Sequence, residues 1–266
     1  MRPSSRTARS GRKWAGVAAL LVALALLAGW MVAERRAAVS CRPFASPGTE
    51  VWLVLGQSNA ANFAEVRHRA GAAVGAFNGS GCVEAADPLP GADGTAGTLW
   101  VPLAQAWVEE KRASRVLIAA TAQSATSVEQ WTPGARLHRR ALNRIVALER
   151  RGLQVTRILW IQGEADAILN TPVGAYSEAL KATLEPLYQR TGAPVFIALA
   201  SRCGDARSPA VRFAQERVIA DERWALPGPD LDTIRDTQRF ERCHFAREGQ
   251  AQAVALWLRA LRGTGI

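Results

Sequence analysis

Histidine is scarce in this chain, with only His68, His138 and His244 in 266 residues. Chemistry that needs an imidazole therefore has three addresses, and a histidine-rich metal site is excluded. Cysteine is nearly as sparse. Cys41, Cys82, Cys203 and Cys243 match no zinc-ligand spacing, which excludes a zinc finger or ribbon. No internal repeat is present, so solenoids and propellers are excluded as well. A basic face interleaved with aromatics, as a nucleic-acid surface requires, is also missing. The net charge of +10 does not supply one, because the excess lies at the N-terminus. There Arg2, Arg6, Arg9, Arg12, Lys13, Arg35 and Arg36 face the single acid Glu34, and the remainder is close to balanced. No nucleic-acid partner is expected.

What the chain does have is the composition of a globular protein carrying one extra apolar segment: 48% hydrophobic and 21% charged residues. Residues 14–33 are an uncharged run of 20, enough as a helix to cross a bilayer core of ~30 Å. Five basic residues precede the run and two closely follow it, which holds residues 1–13 in the cytoplasm. A cleaved signal peptide is the competing reading. Against it, the run exceeds an h-region of roughly 7–15 residues, and no small-x-small site closes it before Glu34. The expected organisation is a basic tail at 1–13, a transmembrane signal anchor at 14–33, a linker at 34–48 and one globular domain at 49–266. The anchor makes the membrane a partner. It places the protein as a single pass in a bacterial-type inner membrane, with the domain outside, or secreted if the segment is cleaved. In that oxidising space the cysteines point to disulfides. Cys203–Cys243 is favoured, both residues falling in loops at one end of a sheet, with Cys41–Cys82 as the remainder. A pair of free buried thiols is the alternative.

Four nearly continuous apolar runs, at 51–55, 116–120, 158–161 and 195–199, read as strands buried on both faces. Amphipathic helices lie between them. Leu137, Ala141, Leu142, Ile145 and Leu148 recur at helical spacing, as do Tyr176, Leu180, Leu184 and Leu187, and a last helix is expected over 248–262. The alternation predicts an α/β fold, a parallel sheet with helices on both faces. Residues 71–97, rich in Gly, Ala and Pro, read as one long loop, functional or mobile.

In such a sheet ligands bind beyond the carboxyl ends of the strands. That rule gathers Gly56-Gln57-Ser58-Asn59, Gln123-Ser124-Ala125-Thr126, Gln162-Gly163-Glu164 and Arg202-Cys203 on one rim. Ser58 sits at a strand-to-helix corner, where a hydroxyl can attack a carbonyl beside backbone N–H groups. Alone, the corner is equally an ordinary helix N-cap. A serine nucleophile also needs a base. His68 falls at the basic end of the helix expected after Ser58, and His138 beside Arg139 and Arg140 on a helix; both read as solvated. His244, in a loop before the last helix, has Glu241 three residues earlier, within reach of its Nδ1. Gln162 could offer an uncharged N–H donor to an oxyanion.

Gly56-Gln57-Ser58-Asn59, the stretch Trp160-Ile161-Gln162-Gly163-Glu164-Ala165-Asp166 and the acid-x-x-His at Glu241–His244 together resemble the SGNH-hydrolase superfamily. Within it the chain is similar to the sialate O-acetylesterase-like and acetylxylan-esterase-like branch. The resemblance implies a three-layer α/β/α, flavodoxin-like sandwich and hydrolysis of carbohydrate O-acyl esters, usually acetyl, without metal or organic cofactor. It implies Ser58 as nucleophile, His244 as base and Glu241 as its orienting acid. The oxyanion would rest on backbone amides of Ser58 and Ser124/Ala125 with Gln162, while Gln57, Asn59 and Glu164 support the site. Two departures stand out. Ser124-Ala125 replace a glycine pair, which motivates a weakened, glycan-binding alternative, and Arg242 stands where relatives carry glycine. An acyltransferase acting on an envelope polymer is the other alternative.

Overall fold

The run at 51–55 forms a strand because both of its faces are covered. Trp52 and Val54 point into one apolar cluster, and Val51, Leu53 and Leu55 into another on the opposite side. The computed structural model describes residues 37–263. Its strands in chain order are β1 (Ala38–Val39), β2 (Thr49–Gly56), β3 (Val74–Phe77), β4 (Cys82–Glu84) and β5 (Arg115–Ala122). They continue with β6 (Arg157–Ile161), β7 (Val195–Leu199), the short pair β8 (Arg202–Cys203) and β9 (Ala206–Arg207), and β10 (Ala225–Asp230). Eight of them build one sheet in the order β1-β4-β3-β5-β2-β6-β7-β10. From β3 to β10 every neighbouring pair is parallel, and β4 and β1 add an antiparallel edge.

Helices cover both faces, as expected. Helices α1 (Trp100–Glu109) and α6 (Arg247–Arg262) contribute Trp100, Leu103, Trp107, Ala253 and Trp257 to the core of one face. On the other face lie α2 (Arg136–Glu149), α4 (Val173–Thr191) and α5 (Pro209–Asp221), and the short α3 (Glu164–Leu169) intervenes between β6 and α4. A final hairpin, β11 (Arg239–Phe240) with β12 (His244–Phe245), precedes α6. The strand β2 lies between β5 and β6, so the chain departs to opposite sides of β2. This switch point opens a crevice at the strands' carboxyl ends.

Several expectations change. The membrane-spanning helix at 14–33 lies outside the described residues; among the described residues no helix is long and apolar enough to cross a membrane. Residues 38–48, assigned to the linker, are built into the domain. There β1 pairs with β4, Phe44 is buried, and Cys41 is bonded to Cys82. The loop at 71–97 contains β3 and β4. No long helix follows Ser58, only a 3-10 turn at Ser58–Ala60. The favoured pairing Cys203–Cys243 is present with Cys41–Cys82, and two disulfides mark an extracytoplasmic protein.

Candidate active site

Ser58 is delivered by the end of β2. Gly56 has φ of 127°, and a Cβ there would fall 1.9 Å from the Ile161 carbonyl oxygen, so the close approach of β2 to β6 requires glycine. The Gln57 N–H donates to that same oxygen (2.9 Å). The chain then tightens into the 3-10 turn, whose first N–H groups have no helical acceptor. Ser58 N–H is among them.

Gln57 and Asn59, flanking the serine, tie the turn to its surroundings. Gln57 Oε1 accepts from the Ala165 N–H at the start of α3 (3.1 Å). Asn59 Nδ2 donates to Glu164 Oε1 (2.8 Å) and to the Cys243 carbonyl (3.3 Å). One amide thus joins the residue after Ser58 to the residue before His244. Arg239, buried, donates to the same carbonyl (2.7 Å) and to those of Ile234 and Leu231. Glu164 is buried, and among the described residues its Oε2 has no hydrogen-bond partner. Burial pushes its carboxyl above the usual range, against the opposing pull of the Asn59 hydrogen bond.

Beyond β5, Asp93 organises the second loop. Its carboxylate accepts from Ser124 N–H (2.9 Å), Ser124 Oγ–H (2.5 Å) and Gln123 Nε2 (2.9 Å). The Ser124 amide is therefore committed, and the expectation that it faces an oxyanion is not met. Ala125 follows with φ of 54°, in the left-handed region, and no hydrogen bond from its N–H is formed among the described residues. The conformation is the one a glycine would take without strain.

Gln162 is fully buried and does not reach the crevice. Its amide nitrogen has two hydrogens, and Thr126 O (2.9 Å) and Asp166 Oδ2 (2.5 Å) take them, while Oε1 accepts from Tyr176 OH (3.0 Å). The expected oxyanion donor is instead a brace between the loops after β5 and β6. Asp166 completes it by accepting from Val128 N–H (2.8 Å).

His244 lies on β12, which packs against the Ser58 turn. Its ring sits between Phe63, stacked with centroids 5.1 Å apart, and Phe240 at 5.3 Å. Burial lowers its pKa below the ordinary histidine value, with Arg239 assisting and Glu241 opposing. The shift favours the neutral imidazole, the form that a proton acceptor needs. Glu241 Oε2 stands 3.9 Å from Nδ1, beyond hydrogen-bond reach, with 78% of its side chain exposed; among the described residues Nδ1 has no hydrogen-bond partner. Glu241 and Arg242 both have φ of 52° in the hairpin turn. Arg242 points away to Asp205, and its carbonyl accepts from Gly204 N–H (3.0 Å). With the Cys203–Cys243 bond, these contacts fasten the turn to the β8–β9 hairpin. The other histidines stay apart from this group: His138 is buried rather than solvated, its Nδ1 meeting Trp131 O (3.1 Å), and His68 is half-buried beside Arg247 on a separate cavity.

Ser58, His244, Ser124, Ala125 and Gln57 line one open cavity of about 380 Å³, with Phe63, Ala165, Ile168, Leu169 and the Cys203–Cys243 disulfide forming the rest of its wall. Asn59, Gln162, Glu164 and Glu241 stand behind or beside it. Sequence reasoning missed Asp93, Phe63 and Phe240. Asp93 lay in a stretch without period, and a phenylalanine carries no mark separating core from a catalytic wall.

Ser58 and His244 thus line one crevice at the switch point of a parallel α/β sheet. Residues 48–257 match the family "Carbohydrate esterase, sialic acid-specific acetylesterase". The chain belongs to that family and is a carboxylic ester hydrolase. Among solved structures it is similar to a protein of Arabidopsis thaliana (16% identity, covering 82% of this chain and 99% of that one, TM-score 0.68). It is also similar to a carbohydrate acetylesterase from Xanthomonas citri (16% identity, 82% and 57% covered, TM-score 0.53). An acetylxylan esterase mutant from Geobacillus stearothermophilus is similar too (12% identity, 80% and 94% covered, TM-score 0.53). Likeness at such identities fixes the fold alone. No curated protein matches the chain by sequence.

Proposed function

We propose that the protein is a serine esterase that removes O-acyl groups from carbohydrates through an acyl-enzyme. Ser58 Oγ attacks the ester carbonyl while His244 takes its proton. The oxyanion rests on the Ser58 and Ala125 N–H groups. His244 then protonates the departing sugar hydroxyl, and water repeats the sequence on the acyl-serine. Glu241 acts on the imidazolium through space, and the ring's orientation comes from Phe63 and Phe240.

One observation carries the reading: Ser58 and His244, far apart in sequence, line the same cavity, and Ala125 lines it with them. The lowered pKa of His244 suits the first step, and Asn59 bridging to Cys243 holds the two segments together. The test is phosphonylation of the purified protein by an alkyl fluorophosphonate, which loses fluoride to the attacking hydroxyl, followed by peptide mass spectrometry. The adduct should fall on Ser58 and disappear in Ser58→Ala along with turnover of a chromogenic ester. An adduct elsewhere, or turnover that survives Ser58→Ala, would remove Ser58 from the mechanism.

A further inference from the structure

Helix α2 carries four arginines, Arg136, Arg139, Arg140 and Arg144, against one acid, Glu149, which is paired with Arg190. Arg136, Arg140 and Arg144 recur at every fourth residue, which stacks them along one side of the helix over about 12 Å. Like charges at that spacing weaken a helix. Arg136 helps to lower the pKa of Arg140, and Arg140 helps to lower that of Arg144, which burial pushes down to about 10. Among the described residues no carboxylate forms an ion pair with any of the three. Asp93 attracts Arg140, but its oxygens are taken by Ser124 and Gln123.

Neutral groups hold the row in place. Arg140 donates to Gln123 Oε1 (3.3 Å) and to the Gly91 carbonyl (2.5 Å). Arg144 donates to the Phe77 carbonyl (3.0 Å) and lies over the Phe77 ring and against Gly91. Arg136, in the first turn of α2, is exposed. The row also leads to the crevice, because Gln123 immediately precedes Ser124, which lines the cavity with Ser58. Guanidiniums fixed in advance and left without a counter-charge are built to take anions. A single carboxylate occupies one such fork, so three on successive turns suit acid groups repeated along a chain. A membrane surface fits less well: Leu137, Ala141, Ile145 and Leu148 of α2 are buried, and the large exposed hydrophobics lie on other elements. Nucleic acid would need open aromatic faces, and Phe77 is buried.

We infer that Arg136, Arg140 and Arg144 form a binding track for an acidic polysaccharide, whose carboxylates seat along α2 while an acetylated sugar of the same chain reaches Ser58. The acetyl ester remains the reacting group, and the track adds a preference for a polyanionic polymer over a neutral one. The inference rests on the serine-esterase reading above and specifies its substrate.

Acetate release from O-acetylated polygalacturonate and from O-acetylated glucomannan, an uncharged polymer, tests this in the full-length protein. The basic N-terminal residues are common to all variants and cancel in the comparison. One exposed charge contact is worth about fivefold, and reversing the charge replaces attraction by repulsion. Arg136→Glu, at an exposed position that leaves folding intact, should raise KM for the polyuronate by about tenfold and keep kcat within about twofold. Both parameters for glucomannan should stay unchanged, and the rise should vanish at 1 M salt. Arg150→Glu, the same charge change at the far end of α2, should have none of these effects. An unaltered KM in Arg136→Glu, or an equal rise for both polymers or for Arg150→Glu, would overturn the inference and leave the esterase standing. Calorimetry with unacetylated polygalacturonate should show the same weakening in Arg136→Glu. Weakened binding to phosphatidylglycerol vesicles, with polyuronate binding untouched, would assign the row to a membrane and overturn the inference. Polyuronate binding that depends on Arg136 in a folded protein without ester turnover would instead overturn the esterase reading and leave the track standing.

Discussion

Replacing Glu241 by Gln tests whether the acid beside His244 acts as a member of a hydrogen-bonded triad or as a remote charge. The carboxylate lies 3.9 Å from Nδ1, with 78% of the side chain in solvent. At that distance and in water-like dielectric, the attraction for an imidazolium is about 1 kcal/mol. The exposure makes the water value the right one. Glu241→Gln should therefore lower kcat/KM by about fivefold. Neutralising a buried, hydrogen-bonded triad acid costs about 10⁴-fold. The assay is kcat/KM for a chromogenic ester as a function of pH and salt. Because Glu241 raises the His244 pKa, its removal should shift the acidic limb further down. The difference from wild type should also shrink at 1 M salt, where the Debye length is about 3 Å. A loss of about 10³-fold or more, indifferent to salt, would refute the reasoning. It would mean that the working enzyme closes Glu241 onto Nδ1.

Three further outcomes follow from the same geometry. Asp93→Ala frees the Ser124 amide and loosens the loop that aims Ala125, so kcat should drop by about 10- to 100-fold with KM little changed; unaltered kcat in a destabilised protein would make Asp93 purely structural. The acidic limb of kcat/KM should have its midpoint below 6.5, because burial lowers the His244 pKa, and Phe240→Ala, which admits water, should raise it; a limb at or above 6.5 in the wild type would contradict the neutral base. Arg242→Gly removes a side chain from φ of 52° and should stabilise the fold by about 0.5–1 kcal/mol, seen as a rise of about 1–4 °C in Tm; a fall would show that the Arg242–Asp205 pair outweighs the strain.

The rim was legible in the sequence because its parts follow apolar strands. Ser58, Gln123–Thr126 and Gln162–Glu164 each come directly after a run too continuous to be anything but a doubly buried strand. The role of each residue was less legible. Gln162 has the right chemistry for an oxyanion donor, and only the positions of Thr126 O and Asp166 reveal that both amide hydrogens are used. Ala125 is the reverse case, since the backbone, not the side chain, carries what it offers. Pro227 and Pro229 hid β10, a strand tolerable only because it lies at the sheet's edge. Pro102 within the first turn likewise masked α1.

The Asn59 amide reaches Cys243 across 184 residues of chain, and the consequence concerns timing. An exported polypeptide acquires its serine corner early, yet the imidazole proposed to serve it arrives only when the closing hairpin has docked and its cysteine has been oxidised against Cys203. Fragments truncated before that hairpin should thus be inert toward esters in whatever compartment they are made. Hydrolysis becomes a late reporter of completed maturation.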